Sequence, residues 1–273
     1  MGKTTIIAWT DHTWNMAWGC TKVSAGCKNC YADTLADRYG WRDGGNSGPK
    51  IWGKNAARRI FGESHWREPL KWNREAEILN KPERVFCSSM CDVFEDHPTI
   101  NAEREKLWPL IRATPMLHWQ LLTKRPERIA RELPDDWGNG YHNVWLGTSI
   151  ENNDWIGRAD YLRHIPAVVR FISYEPALGP LDQIDLGNID WVIAGGESGP
   201  GYRDMEIGWA VEMEQKCRRE GVAFFFKQSS GPRTEMGIDA LGGIVRQYPT
   251  PRTPRPLVRR SRRFRETAFR STR

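Results

Sequence analysis

The stretch Ile189-Asp190-Trp191-Val192-Ile193-Ala194-Gly195-Gly196-Glu197-Ser198-Gly199 passes in one step from an apolar run to a glycine pair and an acid. A short, nearly continuous apolar run reads as a strand buried on both faces. The same transition recurs along the chain. Arg84 to Cys87 runs into Ser88-Ser89-Met90-Cys91-Asp92, and Leu117 to Leu122 into Thr123-Lys124-Arg125. Val144 to Leu146 leads to Thr148-Ser149-Ile150-Glu151, and Val168 to Ile172 to Ser173-Tyr174-Glu175-Pro176. Ala223 to Phe226 ends in Lys227-Gln228. Helical patterns separate the strands, at about 100–112, 155–163 and 206–220, with a short helix from Pro126. Strands alternating with helices imply a parallel sheet.

The polar residues follow the strands, and in α/β folds the C-terminal strand ends carry the site. Counting a weak first strand at Ile6 to Trp9, seven strands are expected. The expected fold class is α/β, a full or partial (β/α) barrel of parallel strands; an open doubly wound sheet is the alternative. Two regions are expected: a barrel domain over 1–245 and a Pro/Arg-rich tail over 246–273. Residues 40–58, rich in Gly, Asn and Lys, read as a loop able to act as a lid. Trp66 to Arg84 reads as a short irregular or helical connection.

Cys20, Cys27 and Cys30 have the spacing C-x6-C-x2-C. A helical pattern follows, with Tyr31, Leu35 and Tyr39 as its recurring face. Cys27 and Cys30 then sit one turn apart at a helix N-terminus, where the dipole and N–H groups stabilise thiolates. Three converging thiols can hold an iron–sulfur cluster with one iron left open. They can hold zinc, for which His12 is the candidate fourth ligand, or they are structural thiols. Cys217 falls within a helical pattern and reads as a core thiol.

The 273 residues have no run of about 18 apolar residues and no apolar leader, so no membrane span or secretory signal is expected. Six cysteines without a leader point to a reducing compartment, hence a cytoplasmic protein. From Arg246 onward there are ten Arg and one acid, Glu266, a net of +9. The chain as a whole carries +6, so the remainder carries −3. Such a tail, ordered only on binding if at all, is expected to meet nucleic acid. A partner protein encoded nearby is a second expected contact.

Glu151, Glu175 and Glu197 each follow a strand, and can bind an ammonium or ribose hydroxyls or act as acid and base. Glu175, Glu197 and Lys124 are the catalytic candidates. Gly195, Gly196, Glu197 and Ser198, with Ser173 and Glu151, are the candidates for cofactor binding. Lys124-Arg125 and Lys227-Gln228 can grip a phosphate or carboxylate. Salt bridges within the rim account for the same charges. Trp9, Trp14 and Trp18 flank the cysteines and can exclude water or stack a base; core packing explains them equally.

The opening Trp9-Thr10-Asp11-His12-Thr13-Trp14-Asn15 with the three cysteines resembles a family of phage and prophage proteins marked by a three-cysteine motif. So do Leu122 to Arg128, Asn143 to Gly147, Ser173 to Pro176, Trp191 to Gly201 and Phe224 to Gln228; the likeness covers roughly 5–250. That family is similar to radical S-adenosylmethionine enzymes, spore photoproduct lyase among them. The resemblance implies a [4Fe–4S] cluster on Cys20, Cys27 and Cys30, with S-adenosyl-L-methionine on the open iron. Its cleavage to a 5′-deoxyadenosyl radical would abstract a substrate hydrogen, here from nucleic acid or a nucleotide. Those enzymes mostly space their cysteines C-x3-C-x2-C, and their Gly-Gly-Glu comes earlier in the chain. The other function class is a non-catalytic zinc or iron–sulfur protein that binds nucleic acid or a partner.

Overall fold

The computed structural model describes residues 5–39 and 50–252. Its strands are β1 (His12–Trp14), β2 (Ala17–Trp18), β3 (Arg59–Ile60), β4 (Glu83–Cys87), β5 (Leu117–Thr123), β6 (Val144–Ser149), β7 (Val169–Tyr174), β8 (Trp191–Gly195) and β9 (Ala223–Gln228). The helices are α1 (Tyr31–Arg38), α2 (Glu63–Trp66), α3 (Glu68–Leu79), α4 (Pro98–Arg112), α5 (Ile129–Glu132), α6 (Gly157–Arg163) and α7 (Ile207–Glu220).

Seven strands form one sheet in the order β1-β4-β5-β6-β7-β8-β9, every pair parallel. The order never reverses. That removes the doubly wound alternative, which needs a switch point, and the sheet curls into a half-barrel. Successive strand residues face opposite ways. Val85, Leu121, Leu146, Ile172, Val192 and Phe224 pack outward against α4, α6 and α7. Phe86, Trp145, Phe171, Trp191, Ile193 and Phe225 fill the concave side together with Trp9. Both faces are dry, so the strands read as continuous apolar runs. Trp191 meets the Trp145 ring edge-on at 5.9 Å and the Phe225 ring at 6.1 Å, an arrangement aromatic quadrupoles favour.

Two expectations change, and a third is narrowed to its helical alternative. The first strand is His12–Trp14, not Ile6–Trp9. Thr10 turns back on Ile7, and its hydroxyl accepts the Phe86 N–H at 3.0 Å, so the chain joins the ladder only after it. Ile6 is 84% exposed, while Trp9 plugs the concave core. On α1 the buried residues are Ala32, Asp33 and Ala36; Tyr31 and Tyr39 stand about half exposed. The connection after Trp66 is α3, a twelve-residue helix opened by Pro69 and closed by Asn80 in the left-handed region.

Residues 40–49 of the expected lid lie outside the described residues. In residues 50–58 three side chains turn inward: Arg58 is buried, and Ile51 and Trp52 are buried with Trp18 and Met90 beneath the cysteines. The antiparallel pair β2–β3 brings this segment there. The tail from 253 also lies outside the described residues, but Val245–Arg252 does not behave as tail. It runs antiparallel beside β9, with Phe226 N–H donating to Val245 O at 2.8 Å and Gln247 N–H to Phe224 O at 2.9 Å. Tyr248 then bonds the Ala8 carbonyl at 3.0 Å, and Arg252 pairs with Asp190. Among the described residues no helix is long and apolar enough to cross a membrane.

Gly147 pairs with Phe171 across β6–β7. A Cβ at Gly147 would lie 2.6 Å from a ring carbon of Phe171, deep in the concave core. Gly147→Ala is expected to destabilise the protein by about 1–3 kcal/mol, as overpacking does, read as a lower denaturation midpoint. Gly62→Ala, which meets nothing within 4 Å, serves as the control.

Candidate functional site

The C-terminal strand ends surround a cavity of about 610 Å³. Its floor is apolar, with Ile7, Trp9, Phe86 and Leu122; its rim carries Ser149, Ser173, Glu175, Glu197 and Lys227. The segment Cys20–Tyr31 lies over it, and Cys20, Cys27 and Cys30 all line it. Cys27 ends a 3-10 turn, Ala25–Cys27, and Cys30 is the N-cap of α1. All six cysteines are free thiols. Burial pushes the Cys20 thiol well above its usual pKa, and Asp92 and Glu95 add to the rise against Arg125. Burial also raises Cys30, against N–H bonds from Asp33 and Ala32, and Cys27 raises it further. Among the described residues no three His, Cys, Asp or Glu side chains are grouped to hold one metal ion.

Hydrogen bonds to charged side chains hold the cysteine segment at three points. The Glu151 carboxylate, 1% exposed, accepts from Ser24 Oγ at 2.6 Å and from Arg158 at 2.8 Å, and meets Lys124 Nζ at 3.3 Å. Gly26 lies against it: a Cβ there would stand 2.7 Å from Glu151 Cγ. Glu197 accepts from Asn29 Nδ2 at 2.9 Å, from Arg203 N at 2.9 Å and from the Arg203 guanidinium, which also donates to Ala25 O at 3.0 Å. At the third point Thr21 N donates to Glu95 at 2.8 Å and Thr21 O accepts from Arg125 at 2.6 Å. Arg58, fully enclosed, holds Glu95 through two bonds of 2.9 Å.

These partners redistribute the sequence candidates. Both carboxylate oxygens of Glu151 and of Glu197 are occupied by protein donors, so each anchors the cysteine segment. Arg125 is held the same way and offers no free fork to a phosphate. Glu175 pairs with Lys227 inside the cavity, and Lys124 reaches Glu151. Ser173 and Ser198 line the cavity. Gly196 has no room for a side chain because the Ser229–Ser230 backbone lies within 2.8 Å of a Cβ there, and Gly195 meets Glu175. His12 is remote from the thiols: it bonds Glu83 at 2.7 Å and stacks on Trp72. Trp14 is core, Trp9 floors the cavity, and Trp18 backs Cys20 and Cys30. Cys87 and Cys217 are core thiols, and burial raises Cys91 to about 12.

Residues 4–263 match a family described as "Protein of unknown function (DUF5131)". The chain belongs to the DUF5131 family. The match runs past the 250 expected from the motifs and takes in part of the arginine-rich stretch. No curated protein matches the sequence. Two solved structures resemble the fold: spore photoproduct lyase complexed with dinucleoside spore photoproduct, at 13% identity and a TM-score of 0.44, and a double mutant of that lyase with bound AdoMet and dinucleoside spore photoproduct, at 12% and 0.42. Each alignment covers 77% of this DUF5131 chain and 62% of the lyase.

Several site residues of this DUF5131 member were not picked out from sequence. Arg58, Arg158, Arg203 and the Asp92–Glu95 pair lie far apart in the chain and carry no motif spacing. Buried charge must be paired, but sequence does not say with what.

Burial alone would raise the Glu197 carboxyl, yet bonds from Arg203 and Asn29 hold it below its ordinary value. A lowered folded pKa gives stability that is full above the unfolded value, about 4.3, and lost as pH falls through the folded one. Glu197→Gln is therefore expected to lower the melting temperature at neutral pH and to flatten the acid limb of a stability–pH curve. An unchanged acid limb would remove Glu197 from the anchor.

Proposed function

We propose that this chain is an iron–sulfur enzyme of the radical S-adenosylmethionine type, acting on a nucleotide or nucleic acid. In this reading Cys20, Cys27 and Cys30 hold a [4Fe–4S] cluster, and S-adenosyl-L-methionine occupies the adjoining cavity. One observation supports it above the others: three free thiols line one cavity at the C-terminal mouth of a parallel half-barrel.

The donor set fits such a group. The thiols are not gathered around a single ion, but a four-iron cluster spreads its ligand sulfurs wider than one ion does, and the three share one cavity. As thiolates they would repel, and a cationic iron core relieves that repulsion. Backbone N–H groups of Ala32 and Asp33 already aim at the Cys30 sulfur. Trp18, Ile51, Trp52 and Met90 form an apolar backing that limits water. Bound together, cluster and S-adenosylmethionine supply hydrogen-atom abstraction.

The chain's own residues then have separate tasks. Glu151, Glu197 and Arg125 hold the cysteine segment in register with the cavity. Ser173, Ser198 and the Gly195-Gly196 backbone present hydrogen-bonding groups to the cofactor's polar end. The Lys227–Glu175 pair holds a proton at Nζ within reach of a bound substrate. The +9 stretch from Arg246 supplies phosphate contacts, which release counterions and so weaken with salt.

Anaerobically reconstituted protein is expected to be brown with about four irons per chain and to convert S-adenosylmethionine to 5′-deoxyadenosine under reduction. Cys20→Ala, Cys27→Ala and Cys30→Ala should each bleach it, while Cys87→Ala and Cys91→Ala should not. A colourless protein with one tight zinc would overturn the reading. Truncation after Arg252 spares the segment beside β9. It should leave the colour and cut low-salt binding to DNA or RNA by at least about tenfold, roughly 1.4 kcal/mol. Unchanged binding would remove the tail from nucleic-acid contact.

A further inference from the structure

One basic side chain touches the cysteine set directly. Arg125 follows β5, and its NH1 lies 3.8 Å from Cys20 Sγ in donor geometry. Few groups in the protein are so firmly placed. The same NH1 donates to Asp92 Oδ2 at 2.7 Å, and NH2 donates to Thr21 O at 2.6 Å and stands 3.6 Å from Glu95. Asp92 is fixed in turn: its oxygens accept from Thr123 Oγ1 at 2.7 Å, Phe94 N at 3.0 Å and Lys124 N at 3.1 Å. Glu95 is fixed by Arg58 and by Thr21 N.

One buried donor thus meets the sulfur, and two buried acids stand directly behind that donor. Their effects on a metal-bound thiolate oppose each other. An N–H bond to a ligand sulfur draws off negative charge and favours the reduced, more electron-rich cluster, whereas nearby carboxylates disfavour it. Cys27 is placed differently: its sulfur is in hydrogen-bond reach of the Ser24 hydroxyl, at 3.8 Å. The three ligands are therefore not equivalent.

We propose that Arg125 is the positioning residue for Cys20, and that its hydrogen bond to that sulfur sets the cluster's reduction potential against the pull of Asp92 and Glu95. The proposal rests on the reading of Cys20 as a cluster ligand. It also explains why the Arg125 fork, at the edge of the cavity, is taken up by Asp92 and Thr21. Lysine in its place would keep the charge and lose the fork that joins Asp92, Thr21 and the sulfur at once.

The test is an anaerobic redox titration of reconstituted wild type, Arg125→Gln, Arg125→Lys and Asp92→Asn, with iron counted on each sample and the reduced cluster followed by electron paramagnetic resonance. Arg125→Gln should lower the midpoint potential, Arg125→Lys should lower it less, and Asp92→Asn should raise it. Variants that hold wild-type iron at an unchanged potential would overturn the role of Arg125. If Arg125→Gln does not take up iron, Asp92→Asn decides: a raised potential supports the opposition of charges, and an unchanged one overturns it. Wild type without a cluster would instead overturn the cluster reading itself, which separates the two failures.

Discussion

A carboxylate buried as deeply as Glu151 must be paired, and its pairing fixes the geometry of the whole mouth. Leaving the charge uncompensated would cost several kcal/mol, because the interior cannot solvate it. Arg158 arrives from α6, Lys124 from the end of β5, and Ser24 from the cysteine segment. Two strand ends, one helix and the overlying loop therefore meet on one carboxylate. Gly26 allows the approach, since any side chain there would push the acid away. Glu197 with Arg203, and Glu95 with Arg58 and Arg125, repeat the device at the other two corners. The cysteine segment contributes little apolar surface of its own. It is held in place by charge.

The sheet below makes this possible because both of its faces are already dry. Aromatic rings fill the concave side, so the cavity is confined to the rim and does not run through the barrel. A shallow cavity over a rigid floor suits chemistry that needs shielding and orientation more than depth.

The fold was largely legible because its strands are buried on both faces and end in polar residues. Trp191 to Gly195 could be read directly, and so could the placement of Glu175 and Glu197 at one rim. The first strand was misplaced because Ile6 to Trp9 is as apolar as a strand. What excludes it is a hydroxyl, Thr10 Oγ1, taking a ladder bond from Phe86, which periodicity does not register. Tyr31, Leu35 and Tyr39 keep helical spacing, yet Ala32 and Ala36 are buried, since only small residues fit against Trp18 and Ile51. The three cysteines were visible from spacing. Their supports were not: Arg58, Glu95 and Arg203 reach the cysteine segment by hydrogen bonds to Thr21 and Ala25, and Asp92 through Arg125, with no local signature. Position alone places Glu151 and Glu197 at the rim; that both carboxylates are paired with protein donors is visible only in the structure.

The in-order parallel topology leaves a seam between β1 and β9, and Tyr248 closes it by bonding Ala8, 240 residues away along the chain. From β4 to β9 each strand pair joins neighbours in sequence and can form as the chain lengthens, while β1 waits for β4. The seam cannot, because one lip is made first and the other last. Loop closure over such a span carries the largest entropic cost in the molecule. Assembly should thus run along the sheet from one edge and finish at the seam, with the concave aromatics open to water until then. Until then the sheet would be partly exposed, and the segment at 245–252 beside β9 would act as its latch.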